Sequence, residues 1–127
     1  MKDIIEIYYR NWNKSVVRLM AEIDDNYKNC LYIIAWVDDF KGKGCIYITN
    51  ENICLYNADI NKMNQTLEGT CHIKDVESDS FIEISFEKDI LVVRGLISDY
   101  KNKLLFEFEA DQTVLKQLLV VMNKLKT

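Results

Sequence analysis

The chain has 127 residues, of which 49% are apolar and 28% charged, with no proline and a formal net charge of −4. This length suits one domain, residues 1–127, and the composition is too apolar for a disordered chain. The acidic balance disfavours nucleic-acid binding, which needs clustered lysine and arginine to replace phosphate counterions. No apolar run approaches the roughly 20 residues of a membrane span. The first three residues, Met-Lys-Asp, are not followed by the apolar region of a secretory signal. We therefore expect a cytoplasmic protein without a membrane partner.

The first half of the chain predicts strands and one segment of undecided type. Early strands are favoured by the stretches DIIEIYY and SVVRLMAEI, and a strand buried on both faces by the continuous apolar run CLYIIAWV. A turn is then indicated by FKGKG and a further strand by CIYIT. In the segment NENICLYNADINKMNQTL, apolar residues recur at three- and four-residue steps, which favours a helix capped by Thr49 or Asn50. The alternative for this segment is a hairpin through residues 50–52. The stretch LEGTCHIKDV predicts another strand, and ESDS predicts a turn.

Three strands in the last third of the chain predict a common register. The segments are FIEISFE, ILVVRGLI and LLFEFEA, and in each the apolar residues alternate with others. If residues 88–89 form a two-residue hairpin loop and residues 98–103 the next loop, the apolar residues of all three strands share one face. Such a shared face is the condition that fixes a register. Arg94 then lies on the other face, opposite Glu83 on one side and Glu107 on the other, and we expect an ion pair with each carboxylate.

The same register places Gly95 opposite Phe106, so that the glycine leaves room beneath the phenyl ring. The closing helix is predicted from about Asp111, whose carboxylate can accept a free N–H of the first turn, to about Lys124. Its apolar stripe consists of Val114, Leu115, Leu118, Leu119, Met122 and Leu125. The sequence therefore predicts an α+β fold, a mostly antiparallel β-sheet with an amphipathic C-terminal helix packed on one face.

Residues with catalytic or metal-binding spacing are absent from the sequence. The cysteines Cys30, Cys45, Cys54 and Cys71 form no C-x-x-C motif and lie in apolar stretches, which is typical of buried, reduced thiols. His72 is the only histidine. It follows Cys71 directly, and neighbours on a strand point to opposite faces, which disfavours a shared zinc ion. We assign no catalytic residue, no metal and no cofactor, and we expect a protein that is not an enzyme.

Acidic residues recur in pairs and clusters along the chain. Most acidic pairs lie in solvated turns, but carboxylates are also the groups that would meet a basic protein partner, because complementary charge speeds encounter and suppresses wrong partners. The candidate partner-binding residues are Asp38, Asp39, Asp75, Glu77, Asp79, Glu83, Glu107 and Glu109.

A resemblance to a known family rests on four stretches: FKGKGCIYI, LEGTCHI, ILVVRGLISD and LLFEFEADQTVLKQLLVVM. They resemble the small immunity proteins of bacterial polymorphic-toxin and contact-dependent growth-inhibition systems, in particular the group associated with wall-associated-protein toxins. The shared pattern is a strand ending in a glycine, a loop, an L-x-F-x-F strand and Asp-Gln-Thr opening a terminal helix, and it covers residues 40–125. The resemblance implies a cytoplasmic protein that occludes the C-terminal domain of a cognate toxin. Many such toxins are nucleases with cationic active sites, which an acidic protein would complement.

Two other functions stay open at this stage. One is a ligand- or peptide-binding adaptor, because antiparallel strands followed by a C-terminal helix also describe the pleckstrin-homology-like fold, although the basic phosphoinositide-binding patch is missing. The other is a small enzyme that uses a pair of carboxylates. A deep pocket with convergent polar groups and a carboxylate of shifted pKa would favour the enzyme.

Overall fold

In the computed structural model, the described residues form two four-stranded sheets and two helices. The structure describes residues 3–10, 16–24, 27–37, 39–98 and 101–125. The elements are β1 (Asp3–Arg10), β2 (Val16–Asp24), β3 (Tyr27–Val37), β4 (Phe40–Tyr47), α1 (Asn50–Thr66), β5 (Thr70–Lys74), β6 (Phe81–Glu87), β7 (Ile90–Ser98), β8 (Lys103–Ala110) and α2 (Gln112–Met122). Four strands followed by one helix thus occur twice in succession, although the sequence shows no repeat.

Both sheets are antiparallel meanders. The first sheet has the strand order β1-β2-β3-β4 and the second the order β5-β6-β7-β8. Each strand therefore pairs with its neighbour along the chain, as expected when connections are short. The predicted α+β class with antiparallel strands and a C-terminal helix is confirmed. The strands are, however, divided between two sheets, because α1 lies between β4 and β5 and ends the first meander.

The register predicted for the second sheet is confirmed. Lys88 and Asp89 form the loop between β6 and β7, and both have positive φ angles, 50° and 68°, as a type I′ hairpin turn requires. Gly95 is paired with Phe106. A Cβ atom on Gly95 would overlap the Phe106 ring, so only glycine fits beneath it.

The prediction of a turn at FKGKG is wrong, because this segment begins strand β4. The turn comes earlier, at Asp39. Gly42 and Gly44 lie instead where the two sheets pack face to face. A Cβ atom on Gly44 would lie 2.8 Å from the Ile97 side chain, and one on Gly42 would lie 3.0 Å from Leu104. The glycines therefore allow the sheets to approach each other.

The sequence predicts that strand β3 is buried on both faces, but the structure buries mainly one face. Leu31, Ile33 and Ala35 are buried in the core, whereas the alternate residues Tyr32 and Trp36 are partly exposed. The apolar character of the second face therefore does not mean that a further layer buries it fully.

The undecided segment is helix α1. The Thr49 hydroxyl caps it by accepting the Asn52 N–H at 3.3 Å. The helix ends at Leu67, which has a left-handed φ of 57° and donates its N–H to the carbonyl of Met63. Its buried face includes Ile53, Ile60 and Met63.

Helix α2 begins as predicted and ends slightly earlier, at Met122. The Asp111 carboxylate accepts the Thr113 N–H at 2.9 Å. The helix buries Val114, Leu115, Leu118, Val121 and Met122. These side chains share one hydrophobic core with the inner faces of both sheets and with α1. Helix α2 also contacts α1, β1 and β2, so the C-terminal helix joins the two halves.

Core truncation tests this packing. Phe106→Ala and Leu118→Ala should each lower the free energy of unfolding by about 2–5 kcal/mol, because each leaves a cavity in the shared core. Glu109→Ala, at an exposed position on the same strand as Phe106, should change it by less than about 0.5 kcal/mol. Denaturant titration measures all three. Equal losses in the three variants would show that the faces of β8 are assigned the wrong way round.

Candidate protein-binding surface

Residues of the second sheet alternate between the core and an outer face. On β6, for example, Ile82 and Ile84 are buried in the core, whereas Glu83 between them points outward and is partly exposed. We name the outer face of β6, β7 and β8 the acidic face. Its central rows consist of Phe81, Glu83, Ser85, Glu87, Val92, Arg94, Leu96, Leu105, Glu107 and Glu109, and the register adds Ile90, Ser98 and Lys103 at its ends. Buried side chains of both helices belong to the same core as the inward residues of these strands, whereas the outward residues Leu105, Glu107 and Glu109 are exposed.

Arg94 stands at the centre of the acidic face, paired in register with Glu83 and Glu107 as predicted. Its Nε lies 2.9 Å from Glu107 Oε1, which confirms one of the two expected ion pairs. The second expected pair, with Glu83, is wrong, because Arg94 Nη1 instead lies 2.8 Å from Glu87 Oε1. Arg94 therefore reaches diagonally to Glu87 on β6 and not to Glu83, its direct cross-strand neighbour.

The Arg94–Glu87 pair passes over the row formed by Ser85 and Val92, which lies between them in the register. This explains why Ser85 and Val92 are only 5% and 6% exposed although they belong to the outer face. Hydrogen bonding to Arg94 holds the pKa of the Glu87 carboxyl below its usual range, and the same bond raises the pKa of Arg94. Glu87 is therefore an ionised, cation-bound carboxylate at neutral pH.

The Ser85 hydroxyl is the one buried polar group of the acidic face without a completed hydrogen bond. It lies close enough to Glu87 to help lower the pKa of that carboxyl, but its geometry completes no bond. Buried polar groups nearly always have a partner, and leaving one unpaired costs free energy.

An apolar row runs beside the charged residues. Phe81, Leu96 and Leu105 are neighbours across β6, β7 and β8. The side chain of Leu105 is 71% exposed, and Phe81 and Leu96 are partly exposed. At the β5 side, the His72 ring stacks on Phe81 with 4.7 Å between the ring centroids. The acidic face therefore combines an apolar strip with flanking carboxylates.

The structure distributes the predicted acidic residues over three places. Glu83, Glu107 and Glu109 lie on the acidic face. Asp39 is exposed in the turn between β3 and β4 of the other sheet. Asp38 lies outside the described residues.

The remaining predicted residues lie in the loop between β5 and β6. Asp75 Oδ1 accepts the Tyr47 N–H at 2.9 Å, so this carboxylate ties the loop to β4. Asp79 Oδ2 pairs with Lys103 Nζ at 3.3 Å, and Glu77 is exposed between them. The positions of these carboxylates indicate a structural role for Asp75 above all.

Glu87 and the apolar row are not among the candidate residues that charge predicts, although both belong to the acidic face. The predicted register already placed Leu105 and Glu87 on the side away from the core. The alternation of the strands is therefore the sequence signal that identifies these residues, and charge alone does not reveal them.

The outer face of β4, in the first sheet, carries two lysines. Lys41 and Lys43 are exposed on β4, and the Lys41 ammonium lies 5.2 Å from the centroid of the Trp36 ring. Within the described ranges, no three His, Cys, Asp or Glu side chains are grouped so that they could hold a metal ion. Neither α1 nor α2, the helices of the described chain, is long and apolar enough to cross a membrane.

The cysteines differ from the expectation of four buried thiols. Cys30 and Cys45 form a disulfide between β3 and β4, with Cα atoms 6.4 Å apart. Cys54 is exposed on α1, and Cys71 is buried. Burial, and next the nearby Asp59 carboxylate, raise the pKa of the Cys71 thiol to about 12, which leaves it protonated and unreactive at neutral pH.

Comparison with known proteins yields no match: neither a protein-family model, nor a curated protein, nor a solved structure matches the chain.

Thiol counting tests the cysteine assignments. Native, unreduced protein should react with an alkylating reagent at one thiol, Cys54, because Cys71 is buried and protonated. Denaturation without a reductant should expose a second thiol, and denaturation with a reductant should expose all four. Mass spectrometry of the alkylated protein gives the counts. Four thiols after denaturation alone would contradict the disulfide.

The charge network predicts a dependence on pH. In the Arg94→Gln variant, the pKa of Glu87 should rise towards its ordinary value of 4.5, because the hydrogen bond that lowers it is lost. Since the folded pKa of Glu87 is depressed in the wild type, its stabilising contribution is present above the unfolded pKa. That contribution disappears as the pH falls through the folded pKa. NMR titration of the Glu87 carboxyl group measures the shift, and an unchanged pKa in the variant would show that Arg94 does not bind Glu87.

Proposed function

We propose that this protein is an immunity protein that binds a cognate bacterial toxin domain and neutralises it by occlusion. The observation that carries this proposal is the acidic face, an open sheet surface on which an exposed apolar strip adjoins several carboxylates. Exposed apolar surface rimmed by polar groups is typical of protein-binding sites. The carboxylates would complement a cationic active site in the toxin.

The resemblance of residues 40–125 to immunity proteins supports the same function. Its most regular part, the L-x-F-x-F strand followed by Asp-Gln-Thr, forms β8 and the start of α2. There Phe106 and Phe108 enter the core and Asp111 caps the helix. The motif therefore builds the scaffold, and recognition falls to the alternate residues of the same strand, Leu105 and Glu107 among them.

The geometry favours binding over catalysis by a carboxylate pair. A general acid needs a carboxyl group of raised pKa, so that it is protonated near neutral pH. The pKa of Glu87 is shifted in the opposite direction. Glu87 and Glu107 are moreover both bound to one guanidinium. The adaptor alternative rested on strands closed by a single C-terminal helix, and the presence of α1 between two sheets departs from that description.

We propose the cytoplasm as the site of action, as the resemblance implies. The Cys30–Cys45 disulfide weighs against this compartment, because cytosolic thiols are kept reduced. Alkylation in living cells before lysis distinguishes the two cases: reduced cysteines support the cytoplasm, and a persistent disulfide supports an oxidising compartment.

Co-expression tests the proposed function. The protein should protect cells that produce the toxin domain encoded beside its gene, and the two should co-purify as a stable complex. A toxin domain of another type, produced at the same level, is the matched control and should still kill. Failure to protect against every neighbouring toxin domain, combined with a turnover activity of the purified protein, would replace this proposal with the small enzyme.

A further inference from the structure

We propose that the acidic face is the surface that meets the toxin, and that its occupant is an extended protein segment carrying one apolar side chain followed by lysine or arginine at alternate positions. This inference rests on the proposed function and adds the conformation of the partner segment and the order of its side chains.

The apolar strip supplies the anchor. A single exposed leucine is ordinary on a protein surface. Leu105 is 71% exposed, and it adjoins Leu96, which in turn adjoins Phe81 in the same row. The strip therefore continues from an exposed edge residue into the sheet. An apolar side chain laid on it would remove contiguous apolar surface from water, which favours binding.

The charges determine what stands beside that anchor. The acidic face carries four carboxylates, those of Glu83, Glu87, Glu107 and Glu109, around the guanidinium of Arg94. Lys103 lies on the same side of β8 but is paired with Asp79. The face therefore keeps a surplus of negative charge, which calls for cations in the partner. Because Glu107 remains 58% exposed while bound to Arg94, its second oxygen is accessible to an incoming lysine or arginine.

The spacing along β8 sets the pattern of the partner. Leu105, Glu107 and Glu109 project from the same side of one strand, so successive side chains are roughly 6–7 Å apart. An extended segment has the same period of two. An apolar residue over Leu105 therefore places the residues two and four positions further along over Glu107 and Glu109. A helix, with its period of 3.6 residues, would not match this spacing.

Arg94 makes the surface selective and holds its carboxylates in place. Its guanidinium fixes Glu107 on one side and Glu87 on the other, and it would repel a partner that placed a third cation at the centre of the face. The unpaired Ser85 hydroxyl lies beneath this network.

The test uses the full chain and the toxin domain that it neutralises as the probe. The charge variant is Glu107→Lys with Glu109→Lys, and its matched control is Glu51→Lys with Glu68→Lys, which changes the net charge equally at exposed positions elsewhere. The apolar variant is Leu105→Ser, and its control is Leu55→Ser at a position on α1 that is 60% exposed. Surface plasmon resonance at low and physiological salt gives the rates, and thermal melting verifies folding.

Both variants of the acidic face should weaken binding by about tenfold or more, as residues that anchor an interface do. The charge variant should act mainly by slowing association. The difference between its association rate and that of the wild type should decrease as salt screens the charges. The melting temperatures and the two control variants should match the wild type closely. If the acidic-face variants bind the toxin domain as tightly as the wild type does, this inference is overturned while the proposed function stands.

Two further outcomes concern the proposed function and a different occupant of the acidic face. Absence of wild-type binding would refute the proposed function itself. Light scattering of the protein alone tests for a second copy of the chain: self-association that Leu105→Ser abolishes would show that the acidic face joins two copies, and this would overturn the proposed occupant.

Discussion

The close approach of the Phe106 ring to Gly95 is the constraint on which the second sheet depends. A side chain at position 95 would overlap the ring, so the pairing of β7 with β8 is held where the glycine lies. A shift of one residue would exchange the two faces of β8, moving Phe106 and Phe108 into solvent and bringing Glu107 into the core. The type I′ turn at Lys88 and Asp89 fixes β6 relative to β7 in the same way.

The acidic face follows from this register. The pairing that puts Phe106 into the core also puts Arg94 beside Glu107 and leaves Glu87 within reach of the guanidinium, over Ser85 and Val92. Charge is thereby gathered on one side of three strands by the same alternation that gathers apolar residues on the other. Stability and the proposed recognition thus use different side chains of the same strands.

The sequence was most informative where structure is determined locally. In β6, β7 and β8, short connections join alternating strands, so the requirement for one apolar face selects a single register. The first half lacks this condition. A glycine can favour either a turn or close packing. Only the approach of Ile97 from the other sheet shows that Gly44 allows close packing. The cysteine assignment failed for a similar reason: the pairing of β3 with β4 decides whether Cys30 meets Cys45. The predicted acidic residues lie in several separate places, because a charge indicates that a residue is at the surface but not on which part of the surface it lies.

The division between core and acidic face has a consequence for how such a protein can change partners. Replacing a core side chain creates a cavity that costs several kcal/mol, a large part of the stability of a small domain. Exposed ion pairs such as that of Arg94 with Glu107 contribute little to stability, because water screens them and ordering long side chains costs entropy. Substitutions on the acidic face therefore alter which cations and which apolar group fit while leaving the scaffold intact. The fold is thus suited to presenting different binding patterns on one unchanged sheet. Under the proposed function, a change in the basic segment of the toxin would be matched by changes at a few outward positions of β6 and β8.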